Sequence, residues 1–443
     1  MLQKIIDKAL ELGFESVEII ENVSEEVTIS LFKGNVDKNF NGSDKSYTLK
    51  GIINGKMALT KFQKNKEDLS EKEIEKMILK LKDNVLTLSS KEESSIFEGS
   101  KVYPVIEKVE SGINEVPTKK KIAMLKEMEK FAYNYDERIE LVPYCQYVEE
   151  KSSTKIVNSK GLNVAKSSEI CGFVFGAVAG ESKENPNKQN GMKVEITDKF
   201  SELKPKEIAK KACKKAISML GAAPIESGAY PVILENDAMK SILSGFFSMF
   251  SGEAALKRLT SLTDKLGEKI MSEKVTIIDD PLLAESINKE PFDAEGVATQ
   301  KKEVVSEGVF KLFLHNLKTA KVFGAEPTGN ATVNGVGPTN FYLQPGKLTK
   351  EQMIKKIKKG LLITNMAGLH AGLNPISGDF SAQSSGYYIE NGKIVKPVTL
   401  IVVSGNFLKM MNDIVEIGSD LEIKQGGIGA PSVWFNQLAV SGK

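Results

Sequence analysis

Tyr47-Thr48-Leu49-Lys50-Gly51-Ile52-Ile53 is followed by Asn54-Gly55 and then, after Lys56, by Met57-Ala58-Leu59-Thr60-Lys61-Phe62. Asn-Gly between two apolar runs is the strongest short-range signal for a tight β-hairpin. A second hairpin is predicted where residues 387–390 meet residues 393–398 across Asn391-Gly392. The sequence therefore predicts antiparallel strand pairing in both halves of the chain.

Helical signals lie between these hairpins. Apolar residues at helical spacing predict helices in residues 2–10, 122–131, 206–220 and 237–250. Ser70 with Glu73, and Thr349 with Gln352, are capping boxes that open two more helices. Helices mixed with antiparallel hairpins, without regular βαβ alternation, predict an α+β fold.

The length of 443 residues favours two domains, because single hydrophobic cores stop growing at about 300 residues. Composition places the boundary in the stretch from Gly221 to Gly228, which contains Pro224. We expect an N-terminal α/β-layered domain in residues 1–222, including a central region from about residue 118. We expect a C-terminal, mainly antiparallel β domain with helices in residues 223–443. Residues 86–118 and 183–189 are predicted to be surface connections, and residues 398–403 a strand buried on both faces.

Composition excludes several classes of partner. Lys+Arg 60 against Asp+Glu 58 gives a formal net charge of +2, and arginine occurs only at Arg138 and Arg258. This balance argues against direct nucleic-acid binding. No apolar run is long enough to span a bilayer, so no membrane association is expected. The three cysteines form no CxxC and the start of the chain has no secretory apolar core, which together favour the cytoplasm.

The scarcity of histidine limits metal chemistry. His315 and His370 are the two histidines, and neither begins an H-E-x-x-H motif. A zinc site built from three histidines is therefore impossible. Cys145, Cys171 and Cys213 have no histidine near them in sequence, so nucleophilic cysteine chemistry has no local support. For His315 a structural role is the favoured interpretation.

The densest polar and glycine-rich stretch surrounds His370. The candidate binding residues in it are His370, Asn374, Asp379, Ser384 and Ser385. Functional residues often lie in such loops, because a rigid scaffold can aim them at a ligand. The alternative is that the glycines only turn the chain and His370 bonds its own loop. Asp293 and Glu295, two residues apart, could act as acid and base or hold a metal, but solvent-exposed carboxylates are the commoner interpretation.

Several ordered motifs carry a resemblance to a known family. They are Phe292-Asp293-Ala294-Glu295-Gly296-Val297-Ala298-Thr299-Gln300, Thr328-Gly329-Asn330, Gly372-Leu373-Asn374-Pro375-Ile376-Ser377-Gly378-Asp379-Phe380 and Ser404-Gly405-Asn406. In order and spacing this series resembles the TldD/PmbA family, and the resemblance spans nearly the whole chain. The family includes zinc metallopeptidases that process peptides, historically labelled modulators of DNA gyrase.

The resemblance also shows where this chain departs from the zinc-binding members. The TldD type carries an H-E-x-x-x-H helix, and the corresponding stretch here is residues 244–249, Ser-Gly-Phe-Phe-Ser-Met. Those members take a cysteine ligand from near the C-terminus, whereas the last cysteine here is Cys213. The departures resemble the PmbA type, which pairs with a TldD-type subunit and helps to hold the substrate.

The resemblance thus implies a zinc-free, substrate-holding subunit that assists peptide or protein processing. No cofactor is expected in this chain, and zinc is expected only in a TldD-type partner. The partner is such a subunit or a second copy of this chain, and the substrate is a peptide or unfolded protein segment. No catalytic residue is assigned and no metal ligand is expected. The candidate binding residues would then grip a peptide, in part by main-chain pairing.

Two other functions stay open. One is an autonomous hydrolase with a diverged site around His370. The other is a regulatory binding protein, such as a gyrase modulator.

Overall fold

The computed structural model describes residues 1–64, 68–89, 95–181 and 187–443. In the described part of the first half, six strands form one antiparallel sheet. The strands are β1 Ser16–Phe32, β2 Asn35–Ile53, β3 Lys56–Lys64, β4 Ile139–Asn158, β5 Asn163–Ala179 and β6 Gln189–Thr197. The helices are α1 Leu2–Glu11, α2 Glu71–Thr87, α3 Thr118–Tyr135 and α4 Pro205–Ser218. The strand order is β3-β2-β1-β4-β5-β6, so β6 lies at an edge.

The hairpin predicted at Asn54-Gly55 is confirmed. Ile53 pairs with Lys56, and Asn54 and Gly55 have φ angles of 51° and 71°. Two positive φ angles are what a two-residue turn of this hand requires, and they are why asparagine and glycine occupy it. The capping box at Ser70 is also confirmed, since the Glu73 N–H donates to the Ser70 hydroxyl and the Ser70 N–H donates to the Glu73 carboxylate.

All four helices cover one face of this sheet. The buried residues Val17, Ile19, Ile29 and Leu31 alternate along β1 and point to that face. Helices α1 and α2 cover one end of it and α3 and α4 the other. The opposite face is turned toward the second half of the chain, where Phe292 packs among residues of β4 and the turn after it.

The predicted connections fit in part. Residues 95–112 are irregular, as expected for the long connection, although α2 extends to Thr87. Of the loop predicted at residues 183–189, residues 183–186 lie outside the described ranges, and β6 begins at Gln189. The predicted boundary near residue 222 falls in the connection between α4 and the next strand.

The second half is mainly β. Its strands are β7 Gly228–Leu234, β8 Ile277–Asp279, β9 Lys302–Ser306, β10 Val309–Phe310, β11 Ala331–Thr332, β12 Gly335–Val336, β13 Asn340–Leu343, β14 Lys359–Ala367, β15 Asp379–Glu390, β16 Lys393–Asn406, β17 Ile414–Ile417, β18 Gly427–Gly429 and β19 Val433–Ser441. Its helices are α5 Asn236–Phe246, α6 Gly252–Leu256, α7 Leu317–Phe323, α8 Lys350–Lys356, α9 Leu369–Gly372 and α10 Phe407–Asn412. The fold is α+β, as predicted.

Two main sheets enclose the core of the second half. One has the order β16-β15-β14-β7-β19-β17, and an additional β16–β19 pairing closes five of its strands into a ring. The other has the order β10-β9-β8-β13-β18. Helix α5 buries its apolar face between them, and the ring of Phe246 stacks on that of Phe407 at 4.7 Å between centroids.

Two predictions in this half need correction. Residues 398–403 are not a strand buried on both faces, because the side chain of Leu400 is 66% exposed. Leu400 has a φ of 55°, and the β15–β16 register shifts beside it, so an irregularity turns the side chain outward. The helix predicted over residues 237–250 ends at Phe246 and continues as a 3₁₀ turn, Phe247–Phe250.

In the described ranges, no helix combines the length and the apolar character needed to cross a bilayer.

Candidate functional site

The open face of α5 borders a groove. The helix buries Ala238, Met239, Ile242, Leu243 and Phe246. Its opposite face presents Asp237, Lys240, Ser241 and Ser244 to a groove of about 770 Å³. The 3.6-residue period thus separates a core face from a polar face on one helix. Residues 244–249, which correspond to the zinc motif in the family resemblance, start on this polar face at Ser244.

His370 lies across this groove from α5. It is exposed, in the short helix α9, which follows Gly368 with a φ of 75°. Gly245 lets the loop approach, because a Cβ on it would lie 2.2 Å from Cδ1 of Leu373. His370 and Asp237 therefore border one groove, although they are 133 positions apart in the chain.

Asn374 and Asp379 close their own loop. The Asn374 Oδ1 accepts hydrogen bonds from the N–H groups of Ile376 and Ser377 at 2.9 and 3.2 Å. The Asp379 carboxylate accepts from the Asn406 amide at 2.9 Å and from the Ser377 hydroxyl at 2.7 Å. These two hydrogen bonds, that of Asn406 first, hold the pKa of Asp379 below its ordinary value. Both residues thus fix the loop beside His370.

The two serines lie apart. Ser384 is buried and its hydroxyl donates to the carbonyl of Ala382 at 2.9 Å. Ser385 lines a second cleft, which shares Asp237 and other residues of α5 and β14 with the groove at His370. The five predicted residues therefore do not converge on one point. His370 and Ser385 border connected cavities, and peptide binding by any of the five stays a prediction.

The second cleft, of about 750 Å³, lies between the two halves of the chain. Strand β6 and helix α4 form one wall, and α5, β14 and residues 422–425 form the other. Among the described residues β6 pairs only with β5, so its outer edge faces this cleft. The Gln425 amide crosses the cleft and donates to the Val194 carbonyl at 3.2 Å. This carbonyl therefore points away from β5.

Strand β6 was not predicted from the sequence. The alternation of Met192, Val194 and Ile196 with polar residues was the available signal. It did not indicate that the strand would be an edge facing the other half of the chain, because strand order depends on tertiary contacts.

Asp293 and Glu295 are not exposed carboxylates on an extended segment, so the favoured interpretation is wrong. They lie in a tight turn, where Asp293 accepts hydrogen bonds from the N–H groups of Glu295, Val297 and Ala331. Glu295 accepts one from the Leu317 N–H at 2.8 Å, at the start of α7. Burial raises the pKa of Glu295 to about 7, with a further contribution from the charge of Asp293. Both line a cleft of about 1030 Å³ between the first sheet and this turn.

The remaining candidates are buried. His315 is 5% exposed, and its Nδ1 lies 3.1 Å from the Thr319 hydroxyl, which fits a structural role. Burial raises the pKa of Cys145 and of Cys171 to about 12 and that of Cys213 to about 11. These thiols are therefore protonated at neutral pH and lie inside the first half.

Zinc does not fit the residues of the groove. A catalytic zinc needs about three protein ligands among imidazole, thiolate and carboxylate groups. The groove offers one imidazole, His370, and one carboxylate, Asp237. Within residues 1–64, 68–89, 95–181 and 187–443, no three such side chains are grouped to hold a metal ion.

The sequence and the fold match known proteins along most of the chain. Residues 112–220 match the PmbA/TldA metallopeptidase central domain, and residues 227–442 match the C-terminal domain of the same family. Metalloprotease PmbA of Escherichia coli is 26% identical over 70% of each chain. A Thermotoga maritima structure described as a modulator of a DNA gyrase is 34% identical over 99% of each chain, with a TM-score of 0.90.

This chain belongs to the TldD/PmbA metallopeptidase family. The resemblance carried by the ordered motifs is thereby confirmed. TldE from Thermococcus kodakarensis shares the fold, with a TM-score of 0.87 at 21% identity. Within the family fold, the polar face of α5 and the edge of β6 are the features that open onto the connected clefts.

Proposed function

We propose that this chain is a PmbA-type subunit that holds an extended peptide for processing by a zinc-bearing, TldD-type partner in the cytoplasm. The observation that carries the proposal is the outer edge of β6, which lies along a cleft continuous with the groove at α5. An exposed strand edge binds an extended segment through main-chain hydrogen bonds, whatever the side chains of that segment.

The direction of the backbone groups supports such pairing. In a strand the N–H and C=O groups of one residue point to the same side, and successive residues alternate. Because the Val194 carbonyl points toward Gln425, the N–H of Val194 also points into the cleft. Met192 and Ile196, two positions away on either side, present their main-chain groups to the same edge.

The donor set argues for a holding role. In residues 244–249, where the family resemblance would place an H-E-x-x-x-H motif, the polar side chains are Ser244 and Ser248, and the polar face of α5 before them adds Asp237, Lys240 and Ser241. Serine and lysine side chains give zinc no ligands at neutral pH, and a single carboxylate, Asp237, does not complete a set, so hydrolysis is assigned to the partner. His370, Asn374, Asp379, Ser384 and Ser385 would shape the far side of the groove.

Substitution of Val194 tests the strand-pairing step. Val194→Pro removes one N–H from the outer edge, and proline is tolerated on edge strands where that N–H faces solvent. Binding of fluorescent extended peptides, measured by anisotropy, should weaken about threefold or more in Val194→Pro, because one main-chain hydrogen bond is lost. Val194→Ala, which keeps the N–H, is the matched control and should bind like the wild type. Equal binding by all three proteins would reject pairing at this edge.

Metal analysis tests whether zinc and peptide cleavage belong to the partner and not to this chain. The purified chain should contain no stoichiometric zinc and should not cleave peptides alone, whereas a complex with a TldD-type chain should contain zinc and cleave. Stoichiometric zinc together with cleavage by this chain alone would overturn the proposal. Sedimentation of the chain, with and without that partner, distinguishes a heterodimer from a homodimer.

The alternatives predict different results. An autonomous hydrolase at His370 requires activity that His370→Ala abolishes. A catalytic histidine needs a hydrogen bond to a nucleophile or to an orienting carboxylate. In the described residues, however, no hydrogen bond joins His370 to a serine or an aspartate. A gyrase modulator acting on DNA requires strongly salt-dependent DNA affinity, which a net charge of +2 does not favour.

A further inference from the structure

We propose that the cleft beside β6 selects extended segments that carry acidic side chains at alternate positions. The inference rests on the proposed function, because it takes the peptide to be a strand added to the edge of β6. It adds a substrate class to that function.

The geometry of an added strand divides its side chains into two sets. Successive side chains of a strand point to opposite faces of the sheet. One set would face α4, which packs on the last two strands of the sheet. The other set would face α5 and β14 across the cleft. The two walls therefore contact alternate residues of the segment.

Helix α4 lies close to the edge because Gly191 permits it. A Cβ at Gly191 would lie 2.1 Å from the carbonyl oxygen of Ala212 and 2.5 Å from the nitrogen of Ala216. At this approach Lys211 and Lys215 line the cleft beside the edge of β6. The α4 wall thus places two ammonium groups where every second side chain of the added strand would lie.

Most other cleft lysines already have partners. Lys193 pairs with Glu422 at 3.1 Å, and Lys424 pairs with Glu202 at 2.9 Å. In the described residues, Lys211 and Lys215 take part in no ion pair. They are also neighbours on one helical face, an arrangement of like charges that mildly destabilises a helix. An acidic ligand would remove that repulsion.

On the α4 side of the cleft, unpaired negative side chains are fewer than unpaired positive ones. Glu195, on β6, is the cleft carboxylate on that side without an ion pair among the described residues. On the α5 wall, Lys240 and Asp237 balance each other in charge. The excess of positive charge therefore lies on the α4 wall, and the preference should fall on one alternate set of positions.

The spacing of the two lysines matches a strand. Residues four apart on a helix are separated by about 6 Å along its axis. Residues two apart on a strand are separated by about 6.7 Å. The two spacings are thus close enough for glutamates at positions i and i+2 of an added strand to face Lys211 and Lys215 together.

Peptide titration tests this selection. Three labelled, threonine-rich decapeptides carry glutamate, glutamine or lysine at alternate positions and are titrated against the full 443-residue chain. The glutamate peptide should bind about three- to tenfold more tightly than the glutamine peptide, as two partly exposed ion pairs imply. The advantage should shrink in about 0.5 M salt, because salt at that concentration screens ion pairs between exposed groups.

Charge reversal identifies the wall. Lys211→Glu/Lys215→Glu should shift the preference to the lysine peptide. Lys210→Glu/Lys214→Glu makes the same charge change on α4 away from the cleft, and this control should keep the wild-type preference.

Equal affinity for the three peptides, or equal effects of the two double variants, would overturn the selection. Val194→Pro distinguishes a failure of the acidic selection from a failure of strand pairing at β6. If all three peptides bind equally and all are weakened by Val194→Pro, the strand-pairing function stands and the acidic selection fails. If none binds, both fail.

Discussion

Replacing Glu295 with glutamine is expected to remove a pH-dependent loss of stability. The half-buried carboxyl group lies in the turn at residues 293–297, against the first residue of α7, and burial raises its pKa from 4.5 to about 7. The folded state therefore holds the proton more tightly than the unfolded state. The resulting stabilisation is complete below pH 4.5 and is lost as the pH rises through 7.

The magnitude follows from the size of the pKa shift. Each pKa unit corresponds to about 1.4 kcal/mol, so a shift from 4.5 to about 7 corresponds to about 3 kcal/mol. Glutamine stays neutral and its carbonyl can still accept the hydrogen bond of the Leu317 N–H. The variant should exceed the wild type by less than about 1 kcal/mol at pH 5 and by about 3 kcal/mol at pH 8.

Urea unfolding from pH 5 to pH 8 measures this difference. The single tryptophan, Trp434, lies in the same half of the chain as Glu295, so its fluorescence reports the relevant transition. Glu303→Gln, at an exposed position of β9, is the control and should differ from the wild type by a constant amount. A Glu295→Gln difference that is also constant over this range would refute the reasoning.

Three further outcomes are expected from the fold and the loop at His370. Phe246→Ala should lower the free energy of unfolding by about 3–5 kcal/mol, because it empties a buried site stacked on Phe407; urea unfolding measures the loss. Asn406→Ala should raise the pKa of Asp379 toward its ordinary value, because a hydrogen-bond donor to that carboxylate is lost. A titration followed by NMR measures this pKa, and an unchanged value would contradict the prediction. Leu400→Asn should keep the stability within about 0.5 kcal/mol of the wild type or raise it, since the residue is exposed at a positive φ that asparagine tolerates. A larger loss in thermal unfolding would mean that Leu400 packs against a neighbour.

Local signals predicted the elements that depend on local physics. The Asn54-Gly55 turn requires only two positive φ angles, and the caps at Ser70 and Thr349 require only hydrogen bonds within one helical turn. These features are complete within a few residues, so their sequence patterns suffice.

Burial was predicted less well, because it depends on what packs against a segment. Residues 398–403 are apolar enough for a fully buried strand, yet Leu400 is turned outward by an irregular register. Asp293 and Glu295 are polar enough to be exposed, yet distant N–H groups of Ala331 and Leu317 allow Asp293 to be buried and Glu295 to be half-buried. Neither outcome can be read from neighbouring residues.

The candidate site shows the same division. The glycine-rich loop at His370 was recognised from its composition, and it does border a groove. The hydrogen bonds of Asn374 and Asp379, however, close the loop itself. The edge of β6 was missed, because an edge strand is defined by the absence of a second neighbour and not by its own residues.

By itself the sequence determined the chemical inventory: two histidines, three cysteines, two arginines and the residues at the zinc-motif stretch. Ligand sets and net charge depend only on which side chains exist, so composition limits metal chemistry without a structure. The tertiary structure decided where the remaining groups meet. Val194 faces Gln425, and His370 faces α5, across separations of 231 residues and more than 100 residues, respectively. Only tertiary packing, within the second half for His370 and between the halves for Val194, sets such distances, and with them the clefts, their charges and the pKa of Glu295.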